Sequence, residues 1–343
     1  MSETRKLQRI GGNTLYVSLP KRWTNKMQLK QGDKVTLAPQ LDNSMHIYPA
    51  AKKEKLREIT LEINANNSRQ SLKRGVTAAY VDGFDIIKLK TEGWLAEEQQ
   101  GVIREIVDNM FGLEIIEVTG NTITIQCLLK QDLPIEKTVQ RIHNVILSMF
   151  TETVSALKEQ DINHVKGLTR RMHDVKRLSL VTNRLLRSLI IFPRSAEQME
   201  ISLIDCVDYL RILHIIAEIA ENVNKISESV IALGEQALPK SILEPLCQES
   251  IPIQDLYDQS IRALLSKDIQ LANSILDSEL SLEKLWKLCI EADEKSEASS
   301  LALSYAHLLI DNLKQIQQYA VEIAEIAIDR AEAIITDVQN IVT

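Results

Sequence analysis

Glycine, proline and aromatic residues are scarce in this chain of 343 residues, and their scarcity excludes several classes of protein. Glycine and proline together number 19, and aromatic residues make up only 4%. All-β chains are usually richer in both, so we expect long helices. No stretch approaches the roughly 18 uncharged apolar residues of a membrane span, and the opening Met1–Arg5 carries no secretory signal. We therefore expect a cytosolic protein with no membrane insertion.

Cysteine and histidine are also few, and their spacing indicates no zinc site, disulfide framework or catalytic pair. The six histidines form no HExxH motif, and neither a GxSxG nucleophile elbow nor a glycine-rich phosphate loop occurs. We predict no catalytic residue and no enzymatic activity. The cysteines, at least 41 residues apart, are interpreted as small core residues: Cys127, Cys206, Cys247 and Cys289.

Charge is distributed unevenly along the chain, although the formal net charge is only −7. Residues 1–50 carry eight basic and three acidic residues, a net +5, and residues 51–194 carry +4. Residues 195–343 carry −16. A positive segment attracts polyanions and an acidic one repels them, so the pattern indicates a basic head and an acidic body with different partners.

The first 50 residues are predicted to form short strands broken by turns. Gly11–Asn13 is a turn signal, and Pro20 suits the start of a short helix from Lys21 to Met27. Strands are predicted at Lys34–Leu37 and Met45–Tyr48. A unit this small buries little apolar surface by itself, so we expect it to form a dimer.

The next 70 residues alternate between strands and helices. The pattern predicts a small sheet covered by helices, in the order β-α-β-α-β-β. The predicted elements are a strand at Ile59–Ile63, a helix at Ser71–Val81, a strand at Phe84–Leu89, a helix at Glu97–Met110, and strands at Leu113–Val118 and Thr122–Leu128.

From Leu133 onward the strand signals end, and the hydrophobic spacing becomes helical. The prolines at 134, 193, 239, 245 and 252 are interpreted as helix starts or linkers. An internal repeat is also present: Ala156-Leu157 with Asp161-Ile162 recurs 107 residues later as Ala263-Leu264 with Asp268-Ile269. The repeat predicts two three-helix units, near 135–233 and 251–336.

The N-terminal residues resemble the SpoVT/AbrB swapped-hairpin DNA-binding domain. The resemblance rests on four ordered elements: the basic opening Arg5–Gln8, the turn Gly11–Thr14, the strand end Val17–Lys21 and the turn Gly32–Val35. The helical repeats are similar to PhoU domains, and the order of the whole chain resembles PhoU-like regulators of archaeal type with an AbrB-like head. In such proteins the middle region carries patterns like Tyr80–Asp85 and Gly112–Glu117.

The expected fold is therefore multi-domain and mainly α. Its domains are predicted as an AbrB-like β domain at 1–50, a small α/β domain at 57–130, and two PhoU-like three-helix bundles at 133–235 and 250–340. The AbrB resemblance implies a homodimer through the N-terminal domain, with a basic face against double-stranded DNA. The positions that match the basic opening and the helix after the strand are the candidate DNA-binding residues: Arg5, Lys6, Arg9, Lys21 and Arg22.

The PhoU resemblance implies a divalent or ferric metal site, because PhoU domains hold metal clusters with carboxylates one helical turn apart. The sequence departs from that pattern. Lys176 stands where a second carboxylate is expected in the first repeat, and the second repeat has Gln315–Gln318 in place of an acidic motif. No cofactor is assigned, and the remaining candidate ligands are Asp174, Glu218 and Glu221.

The segment Lys166–Arg194 carries eight basic residues against Asp174 alone. Three interpretations stay open: a second DNA-facing surface, a docking site for an acidic partner or the acidic second repeat, or a basic face paired inside its own bundle. The main hypothesis for the chain is a DNA-binding transcriptional regulator of phosphate uptake, with the PhoU repeats as sensor or partner-binding module. The alternative is an adaptor that does not bind DNA and regulates a phosphate transporter or sensor through protein contacts.

Overall fold

The structure is a computed structural model, and it divides into two compact units, Met1–Leu56 and Arg57–Thr343. The residues that it describes are 3–10, 14–39, 43–50, 56–64, 67–129, 134–159, 161, 165, 167–234, 238–278, 280–296 and 298–341. The predicted domain boundaries at 130, 133, 235 and 250 stay predictions.

The described residues of the first unit form two antiparallel strand pairs and one helix. Its elements are β1 (Gln8–Ile10), β2 (Thr14–Tyr16), α1 (Lys21–Met27), β3 (Val35–Pro39) and β4 (Met45–Pro49). β1 pairs with β2, and β3 pairs with β4. The predicted limits of α1 are confirmed, whereas β3 begins one residue later and ends two residues later than expected. The predicted turn at Gly11–Asn13 lies outside the described residues.

A four-stranded sheet opens the second unit. Its elements are β5 (Glu58–Glu62), α2 (Arg69–Val81), β6 (Ile86–Lys90), α3 (Glu97–Asp108), β7 (Leu113–Val118) and β8 (Thr122–Cys127). The predicted order is confirmed, and the strands lie in the order β5-β6-β8-β7, with β5 and β6 parallel across α2. α2 begins earlier than predicted because the Ser68 hydroxyl caps it by accepting from the Ser71 amide at 3.1 Å.

Eight helices follow the sheet in the described part of the chain. They are α4 (Ile135–Glu159), α5 (Leu168–Ile191), α6 (Pro193–Gln198), α7 (Leu203–Leu233), α8 (Lys240–Ser266), α9 (Ile269–Leu276), α10 (Glu283–Glu294) and α11 (Ser300–Ile341). The Ala-Leu pairs matched by the internal repeat are buried in both copies, Ala156 and Leu157 in the first and Ala263 and Leu264 in the second. The middle helix of the second copy is broken into α9 and α10, which a simple three-helix unit does not predict.

The interpretation of all five late prolines as helix starts or linkers is wrong for two of them. Pro193 begins α6 and Pro239 precedes α8, but Pro245 and Pro252 lie inside α8. An internal proline removes one backbone hydrogen bond and crowds the preceding turn. α8 continues through both prolines because its apolar side chains, such as Leu246 and Ile253, are buried in the helical core, and tertiary packing supplies most of the stability of a helix.

The cysteines lie in the hydrophobic cores, as interpreted from the sequence. Cys206, Cys247 and Cys289 belong to the helical core, and Cys127 belongs to the core beneath the sheet. All four are free thiols, and burial raises the pKa of the Cys206 thiol to about 11. Within the ranges that the structure describes, no helix combines the length and apolar character needed to span a bilayer.

A buried histidine lies between the two helical repeats. His143 of α4 is 1% exposed, and its Nε2 atom lies 3.0 Å from Oδ1 of Asp258 on α8. The Tyr257 ring meets it edge-on, with centroids 4.8 Å apart. Burial is the largest cause that lowers the pKa of His143, and Arg262 adds to it, while Asp258 opposes both. The imidazole is therefore neutral at pH 7.

Acidification is expected to destabilise the protein through His143. Its pKa is lower in the native state than in the unfolded chain, so below about pH 6.5 the unfolded chain takes up a proton that the native ring does not. The free energy of unfolding therefore falls as the pH is lowered below about 6.5, by at most about 1.4 kcal/mol per pH unit. His143→Gln, which does not titrate, should show a shallower loss of unfolding free energy in urea denaturation between about pH 7.5 and 5. Identical pH dependence in both proteins would contradict this.

Candidate nucleic-acid interface

The structure places the candidate DNA-binding residues in two groups within the first unit. Arg5 and Lys6 precede β1, and Arg9 lies within β1 opposite Leu15 of β2. Lys21 and Arg22 form the first turn of α1. All five side chains are exposed. One group therefore belongs to the first strand pair and the other to the helix that follows it.

Local hydrogen bonds fix the backbone that carries the second group. The carbonyl of Pro20 accepts from the amides of Trp23 and Thr24 at 2.9 and 3.0 Å, which closes the first turn of α1. The helix ends where Gln28 adopts a left-handed φ of 54° and the Leu29 amide donates to the carbonyl of Thr24. The turn is therefore held by its neighbours and not by the side chains of Lys21 and Arg22.

Few acidic side chains neutralise this basic unit. Arg5 forms an ion pair with Glu3. Asp33 is used locally, where its Oδ2 atom accepts from the amide of Lys30 at 2.7 Å. Neither Lys6 nor Arg9 forms an ion pair with an acidic residue in the described part of the unit, and the same holds for Lys21 and Arg22. The net positive charge is thus left facing solvent.

The same unit exposes large apolar side chains. Leu15 is 55% exposed, and Leu37 and Met45 are each 54% exposed. Among its described residues with an assigned burial, none is buried. A single copy thus leaves apolar surface in water that association with another chain would cover.

The basic helix predicted at Lys166–Arg194 is α5, which ends at Ile191, so Arg194 belongs to α6. Five of the basic side chains of α5 are engaged within the second unit. Arg171 pairs with Glu152 of α4, and Lys176 pairs with Glu221 of α7. Arg177 lies over the ring of Phe111, 4.1 Å from its centroid. Among the three interpretations of this helix, intramolecular pairing fits these contacts best. Lys166 lies outside the described residues.

Two arginines of α5 bind the C-terminal end of α2, and sequence analysis did not predict this contact. Arg184 donates from Nη1 to the carbonyls of Tyr80 and Phe84, at 2.7 and 2.8 Å, and from Nη2 to Oδ1 of Asp85 at 3.1 Å. Arg187 pairs with Asp82. The carbonyl of Tyr80 in the last turn of α2 also accepts from the Gly83 amide at 3.0 Å, and the guanidinium adds a second donor to it and binds the carbonyl of Phe84 just beyond the helix. The segment Tyr80–Asp85 thus joins the sheet to the first helical repeat.

The candidate metal ligands lie on α5 and α7. Asp174 is exposed on α5. Glu221 is paired with Lys176, with 3.4 Å between Nζ and Oε2. Glu218 faces α11, where burial and then this carboxylate raise the pKa of Tyr319. Within the described ranges, no three Asp, Glu, His or Cys side chains converge so that they could hold a metal ion. These residues therefore do not fit a cluster site as they stand.

Comparisons with known proteins match the two parts of the chain separately. Residues 8–55 match the family model described as "Antidote-toxin recognition MazE, bacterial antitoxin". In fold, 57% of the chain is similar to PhoU from Pseudomonas aeruginosa, covering 93% of that chain with a TM-score of 0.51 at 14% identity.

A second solved structure is also similar. The phosphate transport system regulatory protein PhoU from Streptococcus pneumoniae matches 57% of this chain and 91% of its own, with a TM-score of 0.47 at 16% identity. No curated protein sequence matches the chain. The family match and the likeness to PhoU from Pseudomonas aeruginosa give the chain a MazE/AbrB-like domain at its N-terminus and a helical region with the PhoU fold, as the sequence predicted.

Proposed function

We propose that this protein is a cytosolic, non-catalytic regulator of phosphate homeostasis that binds double-stranded DNA as a homodimer. The observation that carries the proposal is the exposed, un-neutralised basic surface of an N-terminal domain that matches the MazE/AbrB-like fold. Cations that reach DNA phosphates release condensed counterions, and this release supplies most of the non-specific affinity. The five candidate residues would occur twice in a dimer.

The homodimer follows from the apolar side chains of the same unit. Leu15, Leu37 and Met45 are exposed in a single copy, and burying such side chains against a second copy is favourable. A dimer would also present Arg9, Lys21 and their neighbours as a repeated pattern along the duplex. Such a surface reads phosphate positions and DNA shape at least as much as base edges.

The helical region is assigned the regulatory part of the function. It carries most of the acidic residues, with −16 on residues 195–343, so it repels DNA and leaves binding to the N-terminal domain. We infer that it binds a signal or a protein partner of phosphate transport and thereby changes the activity of the head. The phosphate part of this proposal is supported by the likeness to PhoU.

The alternative is an adaptor whose N-terminal unit never meets DNA. The exposed apolar side chains of that unit also suit a protein partner. The description of the matching family model names the recognition of a toxin by its antidote, which is a contact between proteins. DNA affinity separates the two functions, because an adaptor has no need for phosphate contacts.

The experiment compares two double variants of the full chain. Lys21→Gln/Arg22→Gln removes two cations per subunit from the candidate interface, and Lys284→Gln/Lys287→Gln removes the same charge from exposed positions of α10. We expect the first to weaken binding to labelled random-sequence duplex DNA by about a hundredfold, measured by fluorescence anisotropy at low salt. The second should bind like the wild type. Equal affinities for both variants would refute the interface, and a wild type without DNA binding would favour the adaptor.

A further inference from the structure

The most exposed large apolar side chain in the described part of the chain is that of Trp94, in the loop between β6 and α3. It is 89% exposed, whereas the next one, that of Leu7, is 63% exposed. The other two tryptophans, Trp23 and Trp286, are partly buried. Tryptophan is highly buried on average, because its indole ring offers a large apolar area. An indole in water therefore marks this loop as a surface where a partner gains apolar contact.

The loop that carries Trp94 is fixed to the turn between β7 and β8. The Thr91 amide donates to the carbonyl of Asn121 at 2.9 Å, and the Leu95 amide donates to the carbonyl of Gly120 at the same distance. The benzo ring of Trp94 contacts Gly120 directly, since a Cβ atom at that position would lie 2.7 Å from Cζ3 of the indole. The backbone is thus held on both sides of Trp94, and a partner has little backbone freedom to remove on binding.

An apolar side chain of β7 extends the exposed surface. Val118 lies two residues before Gly120 and is 43% exposed. β7 is an edge strand of the sheet, in the order β5-β6-β8-β7, so no strand of the described chain covers its outer side. Trp94 and Val118 therefore lie at the same end of the sheet, beside the turn between β7 and β8.

The charge around Trp94 is acidic. Residues 91–103, which form the loop and the first two turns of α3, carry three acidic and no basic residues, and residues 113–122 carry two acidic and no basic residues. The five are Glu92, Glu97, Glu98, Glu114 and Glu117. All are exposed, and none forms an ion pair within the described ranges. The wider segment 51–194 carries a net +4, so this acidic charge is local and is not part of the acidic helical region.

We propose that Trp94, Val118 and these five carboxylates form a docking surface for a partner protein, in which a segment with arginine or lysine beside apolar side chains binds. The cation stacks on the indole face and meets the carboxylates, while its apolar neighbours cover Val118. Tryptophans at the centre of an interface commonly carry much of its binding energy. DNA does not fit this surface, because the carboxylates repel phosphates. The surface therefore adds a protein contact that is separate from the proposed DNA interface of the first unit.

A fluorescently labelled peptide of alternating arginine and valine tests the surface in the full chain. We expect saturable binding by anisotropy at low salt, and Trp94→Ala should weaken it at least tenfold. Leu128→Ala should bind like the wild type, because it truncates another exposed apolar side chain at the opposite end of the β7–β8 hairpin. Equal affinities of the two variants, or a wild type that does not bind the peptide, would overturn the proposal.

Two further measurements locate the bound peptide. Glu92→Gln should weaken binding by about two- to fivefold, the value of one exposed ion pair, and Glu244→Gln, at an exposed position of α8, should not. In Trp23→Phe/Trp286→Phe, Trp94 is the only tryptophan, and its emission should shift to shorter wavelength as the peptide removes the indole from water. Unshifted emission on binding would place the peptide elsewhere and refute the site. Trp94→Ala should keep the DNA affinity of the wild type, so failure of this surface is distinguishable from failure of the DNA interface.

Discussion

Raising the salt concentration from about 50 to about 200 mM is expected to weaken DNA binding by about 10³- to 10⁵-fold. This is the loss for a protein that makes six to ten phosphate contacts, because each contact changes the logarithm of the affinity by about 0.9 per tenfold change in salt. A homodimer that presents Arg5, Lys6, Arg9, Lys21 and Arg22 twice has ten such side chains. Because Arg5 already forms an ion pair with Glu3, we expect fewer than ten phosphate contacts and a loss of affinity below the upper end of this range.

Anisotropy titrations at several salt concentrations measure the slope of the logarithm of the DNA affinity against the logarithm of the salt concentration. Lys21→Gln/Arg22→Gln should reduce it by about 0.9 for each phosphate contact that is lost. The Lys284→Gln/Lys287→Gln control should keep the slope of the wild type. A slope near zero in the wild type would mean that the basic side chains do not reach phosphates, and the proposed interface would then be abandoned.

Arg184→Met is expected to lower the free energy of unfolding by about 3 kcal/mol. The side chain of Arg184 is only 10% exposed and satisfies the carbonyls of Tyr80 and Phe84 together with Asp85. Methionine keeps the apolar packing but removes the side-chain donor to the carbonyl of Phe84 and one of the donors to Tyr80 and Asp85, which keep the amides of Gly83 and Arg57. Removing one member of a buried, hydrogen-bonded charge pair usually costs about 3–5 kcal/mol, because the remaining charge stays buried.

Arg187→Met is the matched control for this prediction. Arg187 lies one turn later on α5 and pairs with Asp82, but both side chains are nearly half exposed. Exposed ion pairs contribute about 0–1 kcal/mol, so this variant should stay close to the wild type. Urea denaturation followed by circular dichroism measures both effects. A similar loss in the two variants would show that burial of Arg184 is not what makes its contact strong.

Elements with a strong local pattern could be predicted from the sequence. The helix Lys21–Met27 and the strand Leu113–Val118 have the predicted limits, because turn residues and alternation define them locally. The internal repeat also indicated which positions are buried, since apolar side chains recur at helical spacing. These features depend on neighbours within a few residues.

Features that depend on distant residues could not be predicted. The contacts of Arg184 join residues about 100 positions apart, and the sequence showed only a basic helix with three possible roles. α8 continues through Pro245 and Pro252 because of tertiary packing, which overrides a local stop signal. The five basic residues of the first unit could be named from the resemblance to the AbrB-like domain. Their exposure and the ion pair of Arg5 with Glu3 depend on how the strand pairs and α1 fold, and the sequence alone does not give them.

The contact of Arg184 with Tyr80, Phe84 and Asp85 also bears on how this protein could have been assembled in evolution. A recombination event between the sheet and the first repeat would separate the buried guanidinium from its acceptors. A crossover between Leu56 and Arg57 would preserve this contact and would fall where the two compact units meet in the chain. A crossover there would move the N-terminal unit as one piece and leave the contacts between the sheet and the helices intact.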